Sequence, residues 1–291
     1  MDVFKLHVTD IHGIELTRKN FEDHTLKDKK WFIKEEGEQR YFAICPACDN
    51  TIQIIRLYSD TQKPYGKHYL VRRRERLGVY SVENYECCPY AEKNRNQKPN
   101  KEARRKESEL TEKIRRLLIE QFDRVIYVLA KQLSWQFSQK LATEMLWDYI
   151  AARAWQYEAA TLQNIPWIFA YFAISKPLFG QRCRLIPLQQ AISEHYSDAV
   201  WDNDRLSSRG KFVSPRFCFL HHRREVKEHH LEERITFSTN TVNQHVIYTQ
   251  ELLVDGPYFT HLVGLPEEKS HRDWRWVDLA RSVFAEAGFE D

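Results

Sequence analysis

Apolar positions along this chain change their spacing twice, and the changes divide it into three stretches. Between Lys30 and Tyr58 they fall in short runs: Lys30-Trp-Phe-Ile, Gln39-Arg-Tyr-Phe-Ala-Ile and Thr51-Ile-Gln-Ile-Ile-Arg-Leu-Tyr. Runs this short, rich in β-branched and aromatic residues, predict strands. From Ser108 the step becomes three and four residues through Leu110, Ile114, Leu117, Leu118, Val125, Val128 and Leu129, the spacing of one helix face. A second helix is predicted from Ser138, with Leu141, Met145, Leu146, Tyr149 and Ala152 on its stripe. A third opens at Ile165-Pro166, where proline suits a first helical turn, and stays apolar through Ile174, as a buried helix would. Leu188–Trp201 reads as a fourth, closed by the polar turn Asp202-Asn-Asp-Arg.

After about Arg209 the period returns toward two, in Arg216-Phe-Cys-Phe-Leu, Arg234-Ile-Thr-Phe-Ser-Thr, His245-Val-Ile-Tyr and the run from Leu252 to Val263. Asp255-Gly256 inside that last run reads as a hairpin turn. Trp274–Ala287 closes the chain as an amphipathic helix with Trp276, Val277, Ala280, Val283 and Phe284 on one face. The pattern therefore predicts an α+β protein: a small N-terminal β-rich module over 1–92, a helical lobe over 108–205, and an antiparallel sheet with a closing helix over 206–291. Residues 93–107 are almost wholly polar and read as an exposed basic connector. No internal repeat is visible.

Composition adds that the chain is folded and not fibrous or disordered: 42% of its 291 residues are hydrophobic and only 9 are Gly and 10 Pro. No apolar run reaches the roughly 18–20 residues of a bilayer span and the charged opening is unlike a signal peptide, so a soluble cytoplasmic protein without a membrane partner is expected. In a reducing compartment, clustered cysteines read as metal ligands rather than disulfides. Four of the six cysteines, Cys45, Cys48, Cys87 and Cys88, fall within 44 residues.

Cys45-Pro-Ala-Cys48 lies between two predicted strands, and two intervening residues let a chain reverse around one tetrahedral ion. Pro64-Tyr-Gly-Lys-His68 offers an imidazole beside a glycine, and Glu86-Cys87-Cys88-Pro89 offers a further thiolate. The expected ligand set is Cys45, Cys48, His68 and Cys88, with Cys87 the competing choice for the last position. Four ligands leave no open position, which favours one structural Zn2+ over a catalytic one. A redox role for Cys45 and Cys48 lacks its βαβ setting, and the competing bland reading is a set of buried free thiols. Over about residues 41–92 the pattern resembles zinc-knuckle and zinc-ribbon modules. It departs from a ribbon because its second half lacks a Cys-x-x-Cys pair.

Charge is uneven. The net charge is +3, but Lys63–Arg116 carries sixteen basic and eight acidic residues, a local +8 that leaves −5 for the remainder. Arg72, Arg73, Arg74 and Arg76 lie between His68 and Cys88, and Lys93, Arg95, Lys98, Lys101, Arg104 and Arg105 follow in the connector. With Tyr65, Tyr69, Tyr80, Tyr85 and Tyr90 interleaved, these residues are the candidate nucleic-acid contacts, phosphates to the cations and unpaired bases to the rings. A solvated charged face is the competing reading.

The segment His221-His-Arg-Arg-Glu-Val-Lys-Glu-His229-His230 offers three further readings: a second metal site in the paired histidines, a Glu-x-Lys nuclease tail in Glu225 and Lys227, and the Arg-x4-His spacing of a family of helical ribonucleases in Arg224 and His229. The plain reading is a polar hairpin end. Phosphate-binding loops, nucleophile elbows and dinucleotide fingerprints are missing from the sequence. Trp155, Trp167, Phe169, Tyr171 and Phe172 read as core. The leading functional expectation is a non-enzymatic, zinc-stabilised nucleic-acid-binding component of a larger assembly, with a protein partner on the helical or C-terminal lobe. A metal-dependent nuclease using Glu225, Lys227 and His229, and an interaction subunit without nucleic acid, are the alternatives.

Overall fold

The computed structural model describes residues 1–291 except 36, 70–76, 95–97, 212, 267, 268, 270, 271, 290 and 291. In the N-terminal third, β1 (Val3–Phe4) pairs with β2 (Ile14–Glu15), and α1 (Arg18–Thr25) leads into an antiparallel four-stranded meander. The meander runs β3 (Phe32–Glu35), β4 (Glu38–Ile44), β5 (Thr51–Ile55) and β6 (Tyr65–His68) in chain order, followed by the short α2 (Val82–Glu86). Its own small core gathers Phe4, Phe21, Trp31, Phe42, Ile52, Ile54 and Tyr90 around Cys45, Cys48 and Cys88.

The rest of the chain supplies α3 (Glu109–Glu120), α4 (Phe122–Leu133), β7 (Trp135–Gln136), α5 (Gln139–Ala151) and α6 (Ile165–Phe172). Ser108 and Ser138 cap α3 and α5 by accepting the N–H of Thr111 and Leu141. Every residue of α6 is buried, as its unbroken apolar run predicts. Next come β8 (Lys176–Pro177), β9 (Arg182–Cys183), α7 (Ile186–His195), β10 (Ala199–Asp202), β11 (Arg205–Ser208), β12 (Arg216–Lys227), β13 (His230–Asn240), β14 (Val246–Leu253), α8 (Gly256–Gly264) and α9 (Trp274–Glu286). Two antiparallel sheets form here, in the orders β10-β11-β9-β7 and β14-β13-β12-β8. Their buried side chains run together with those of the helices in one core from Leu110 to Phe284. The class is α+β, as expected.

Two local expectations fail for identifiable reasons. The fourth helix stops at His195, and Ala199–Asp202 instead pairs with Arg205–Ser208. The polar turn that was read as a helix end is the hairpin's two-residue loop, with Asn203 and Asp204 both left-handed at φ 46° and 63°. Conversely, Asp255-Gly256 makes no hairpin. The Asp255 side chain accepts the Tyr258 N–H and Pro257 sits in the first turn, so α8 starts where a strand was expected.

The β12–β13 hairpin joins the two cores. A bulge between Leu220 and Arg223, with His221 at φ 53°, breaks the alternation that buries Phe217 and Phe219 and turns His222 and Arg224 inward instead. At its tip, Val226 and Leu231 pack on the N-terminal core, the His229 ring stacks on Tyr65 at 4.1 Å, and the His230 imidazole meets Asp2 at 2.7 Å.

Phe237 on β13 is fully buried against Trp135, Phe217 and Phe219, so it ties the sheet to the helices. Phe237→Ala should cost about 3–5 kcal/mol. Helical circular dichroism and tryptophan fluorescence should shift to the same lower midpoint, and separate midpoints for the two signals would contradict a shared core.

Candidate metal centre

Three segments converge on one point of the N-terminal module. β4 ends at Ile44 and β5 starts at Thr51, and the six residues between them fold back tightly: Cys45 N–H donates to Asn50 O at 2.8 Å and Asp49 N–H to Cys45 O at 3.1 Å. Asp49 takes the left-handed conformation (φ 62°) that lets the turn close. His68 ends β6, beside β5 in register with Ile52. Cys88 follows α2, its N–H donating to Tyr85 O at 3.0 Å.

The four side chains meet. Cys45 Sγ lies 3.7 Å from Cys88 Sγ, and His68 Nε2 lies 3.3 Å from Cys48 Sγ and 3.6 Å from Cys88 Sγ. Two sulfurs about 2.3 Å from one tetrahedral ion stand about 3.8 Å apart, and a sulfur and an imidazole nitrogen about 3.5 Å apart. All four ligand atoms lie within 4.8 Å of one another, so a contraction of no more than about 1 Å closes a tetrahedron. The three thiols are buried and His68 is half-buried. Among the described residues no other His, Cys, Asp or Glu side chains gather this way. The group could hold a metal ion.

The choice between the two adjacent cysteines is decided by the end of α2. Cys87 is its C-cap residue and Cys88 the first beyond, so the two thiols face apart. Cys88 turns into the cluster, while Cys87 stands half-buried beside Arg105, Glu158 and Arg224, with burial raising its thiol above the ordinary value.

Asn50, which the sequence reading passed over, fixes the relation between the segments. Its amide donates to Ser81 O at 2.9 Å and to Cys48 Sγ at 3.4 Å, and its Oδ1 accepts the Ser81 N–H at 2.9 Å. Ser81 caps α2, so Asn50 couples the cysteine turn to the helix that delivers Cys88. An asparagine two positions past Cys48 was the available signal. Gly78 completes the fit, since a Cβ there would stand 2.5 Å from Asp49 O. Behind the turn, the fully buried Lys5 contacts the Asp49 carboxylate and donates to the Val8 and Asp10 carbonyls at 3.3 and 3.1 Å.

The thiols are electrostatically unequal. Burial opposes ionisation of Cys45, but hydrogen bonds from Cys48, Cys88 and the backbone N–H groups of Ala47 and Cys48 outweigh it and hold this thiol well below its ordinary value. Cys88 is pushed well above its own, by burial first and then by Cys45 and Cys48. A dication among them would favour the thiolate form of all three.

The expected nucleic-acid contacts divide. Arg72, Arg73, Arg74, Arg76 and Arg95 lie outside the described residues. Lys93 and Lys98 are exposed, Lys93 pairing with Glu86 at 3.5 Å. Lys101, Arg104 and Arg105 face inward, which corrects the expectation of a wholly exposed connector. Lys101 Nζ donates to Tyr171 O at 2.8 Å and Arg104 Nε to Ala152 O at 2.8 Å. Arg105 is buried, with Nη2 donating to the Glu158 and Ala160 carbonyls. The same segment buries Asn94 and Pro99. Basic residues read as solvated because their neighbours are polar instead satisfy backbone oxygens of the helical core. Of the tyrosines, Tyr65 stacks on His229, Tyr69 meets Phe42 and Tyr85 meets His68 edge to face, Tyr90 is buried, and Tyr80 is exposed.

Among the described residues, the histidine-rich segment gathers no second cluster of metal-ligating side chains. His221 lies exposed at the bulge, while His229 and His230 point to Tyr65 and Asp2. Glu225 pairs with Lys227 at 3.1 Å and Lys227 with Glu232 at 3.2 Å, all on the accessible side of the hairpin. Arg224 lies on a strand, where the helical ribonuclease spacing does not apply. The buried His222 does make a network: Tyr157 Oη lies 2.9 Å from Nδ1, and Glu233 Oε1 lies 2.5 Å from Nε2 and accepts the Asn164 amide at 2.8 Å.

Compared with family models, with curated proteins and with solved structures, the chain finds no match. Its chemistry has to be read from its own residues.

Cys88→Ser should abolish stoichiometric metal in elemental analysis of purified protein and lower the midpoint of unfolding of the N-terminal module. Cys87→Ser should keep one ion per chain. The reverse pattern, or metal-free wild type, would contradict the assignment.

Proposed function

We propose that Cys45, Cys48, His68 and Cys88 hold one structural zinc ion, and that the module so closed binds nucleic-acid phosphates through the Arg72–Arg76 stretch. Three thiolates with one imidazole in tetrahedral reach suit zinc better than the oxygen-preferring calcium, magnesium or manganese. All four positions are protein ligands, which supports a structural and not a hydrolytic role. A reducing, cytoplasmic setting goes with thiolates serving as ligands.

The observation that carries the reading is the position of two ligands on either side of the arginine run. His68 ends β6 eight residues before Arg76, and on the far side Val79 N–H donates to Asp49 O at 2.9 Å within the cysteine turn. Both flanks of the arginine-rich stretch are thus tied to the same knot of structure. A stretch whose two ends are tied in this way has less freedom to lose on meeting a phosphate backbone than a free tail has. The exposed Lys67, next to His68, extends the same charge. Because Lys101, Arg104 and Arg105 are committed to carbonyls, the contact surface is smaller than the net charge of the segment implies. Two to four phosphates is the range these residues suit.

Binding of a fluorescein-labelled oligonucleotide should therefore weaken with salt at a log–log slope of about −0.7 to −0.9 for each phosphate neutralised. Replacing Arg72 and Arg74 together by Glu should weaken binding further and make the slope shallower by about 1–2. Stripping the metal with a chelator should have the same direction of effect. Absence of measurable affinity for either DNA or RNA at about 50 mM salt would overturn the proposal.

A further inference from the structure

A groove of about 1250 Å³ opens on the larger core, away from the cysteines and built from different elements: α4, β7, β9, the β10–β11 loop and the start of α9. Its charges are unbalanced. Asp204 is paired with Arg184 at 2.7 Å, Asp273 with Arg275 at 2.7 Å, and Asp123, outside those pairs, with Arg272 at 2.7 Å. The acids lining the groove are therefore committed, and four lining cations, Arg124, Lys131, Arg182 and Lys269, have no carboxylate at ion-pair distance among the described residues. Arg124 is buried, yet Nη1 has only the neutral oxygens of Gln121 and Val263 at 2.7 and 2.8 Å. Lys131 donates to Tyr258 Oη at 3.0 Å, and Arg182 has Gln136 Oε1 at 3.5 Å.

Burial and the neighbouring Arg272 disfavour the charge on Arg124, and the one carboxylate that favours it, Asp123, is already paired with Arg272, so an incoming anion would be stabilised there. The same groove holds one unmet donor. Trp135 lines it, and its buried indole N–H finds no acceptor among the described residues. Around these stand aromatic faces suited to stacking, the half-exposed Tyr127 and the partly buried Trp276.

We infer that this groove binds the phosphate and base of a nucleotide, with Arg124, Lys131 and Arg182 on the phosphate, the half-exposed Tyr127 against the base, and the Trp135 N–H on a polar atom of the ligand. Anion and flat ring are both required: cations alone would suit any polyanion, and aromatics alone any apolar ligand. Ligand pockets usually enclose about 300–1,000 Å³, so the groove has room for a free nucleoside phosphate or for a nucleotide unit within a single strand. This inference does not rest on the metal module.

The test titrates the full chain with N-methylanthraniloyl-ATP and with a fluorescein-labelled hexathymidylate. At least one probe should bind, and Arg182→Glu and Lys131→Glu, both at solvent-accessible positions, should each weaken it at least about tenfold without lowering the unfolding midpoint. Lys19→Glu, on the exposed face of α1, should leave binding unchanged. Tyr127→Ala should weaken the nucleotide probe but not displacement by inorganic tripolyphosphate. Binding of the ATP probe identifies a free nucleotide as sufficient, and binding of the hexamer alone identifies a strand. The inference fails if neither probe binds with Kd below about 1 mM, if both charge reversals bind like wild type, or if Tyr127→Ala leaves the nucleotide probe unaffected.

Discussion

Three buried thiols and an imidazole brought within 4.8 Å of one another form the constraint on which the N-terminal module depends. The core around them is small, and three of its buried members are the cysteines themselves. Short strands of four to seven residues give such a unit little cooperative stability. A shared cation would tie the β4–β5 turn, the end of β6 and the residue after α2 into one object, and binding free energy of this kind becomes folding free energy. Asn50 and Lys5 support the arrangement by joining the turn to α2 and by satisfying Asp49 from behind.

The module is not loosely tethered to the rest. The β12–β13 hairpin reaches across with its tip on Tyr65, Asp2 and the N-terminal core. Its bulge at His221 converts an apolar inner face into a polar one just where it leaves the larger core, so His222 and Glu233 meet Tyr157 and Asn164. From the other side, Lys113 reaches Asp49 at 3.9 Å and the Lys106 N–H donates to Glu83 at 2.9 Å. Polar contacts with exact partners at such a junction fix relative orientation more than they add stability. A phosphate contact in the module and a nucleotide in the groove would then be presented by one body with a defined geometry.

Much of this was legible in the residues. Apolar steps of three and four, with Ser108 and Ser138 as caps, marked α3 and α5, because amphipathic stripes and caps are local signals. The meeting of Cys45, Cys48, His68 and Cys88 was legible for the same reason, since Cys-x-x-Cys between strands has a meaning independent of what surrounds it. What failed depended on competition between local signals or on distant partners. Asp255-Gly256-Pro257 carried both a turn and a helix start, and the cap with proline prevailed. Asn203-Asp204 was read as a helix end because neither residue revealed that Ala199–Asp202 had a strand to pair with. The inward turn of Lys101, Arg104 and Arg105 could not be seen in a polar stretch, since the carbonyls they satisfy lie about 50 to 70 residues away in sequence. The groove was invisible for the same reason, being assembled from residues between Asp123 and Trp276.

The central claim concerns which atoms surround the ion, and X-ray absorption at the zinc K-edge of the purified full chain reads them directly. Three sulfur scatterers at about 2.3 Å and one nitrogen at about 2.0–2.1 Å are the predicted shell. A shell of two sulfurs completed by lighter atoms, or one with an oxygen ligand from solvent, would contradict the closed four-residue centre.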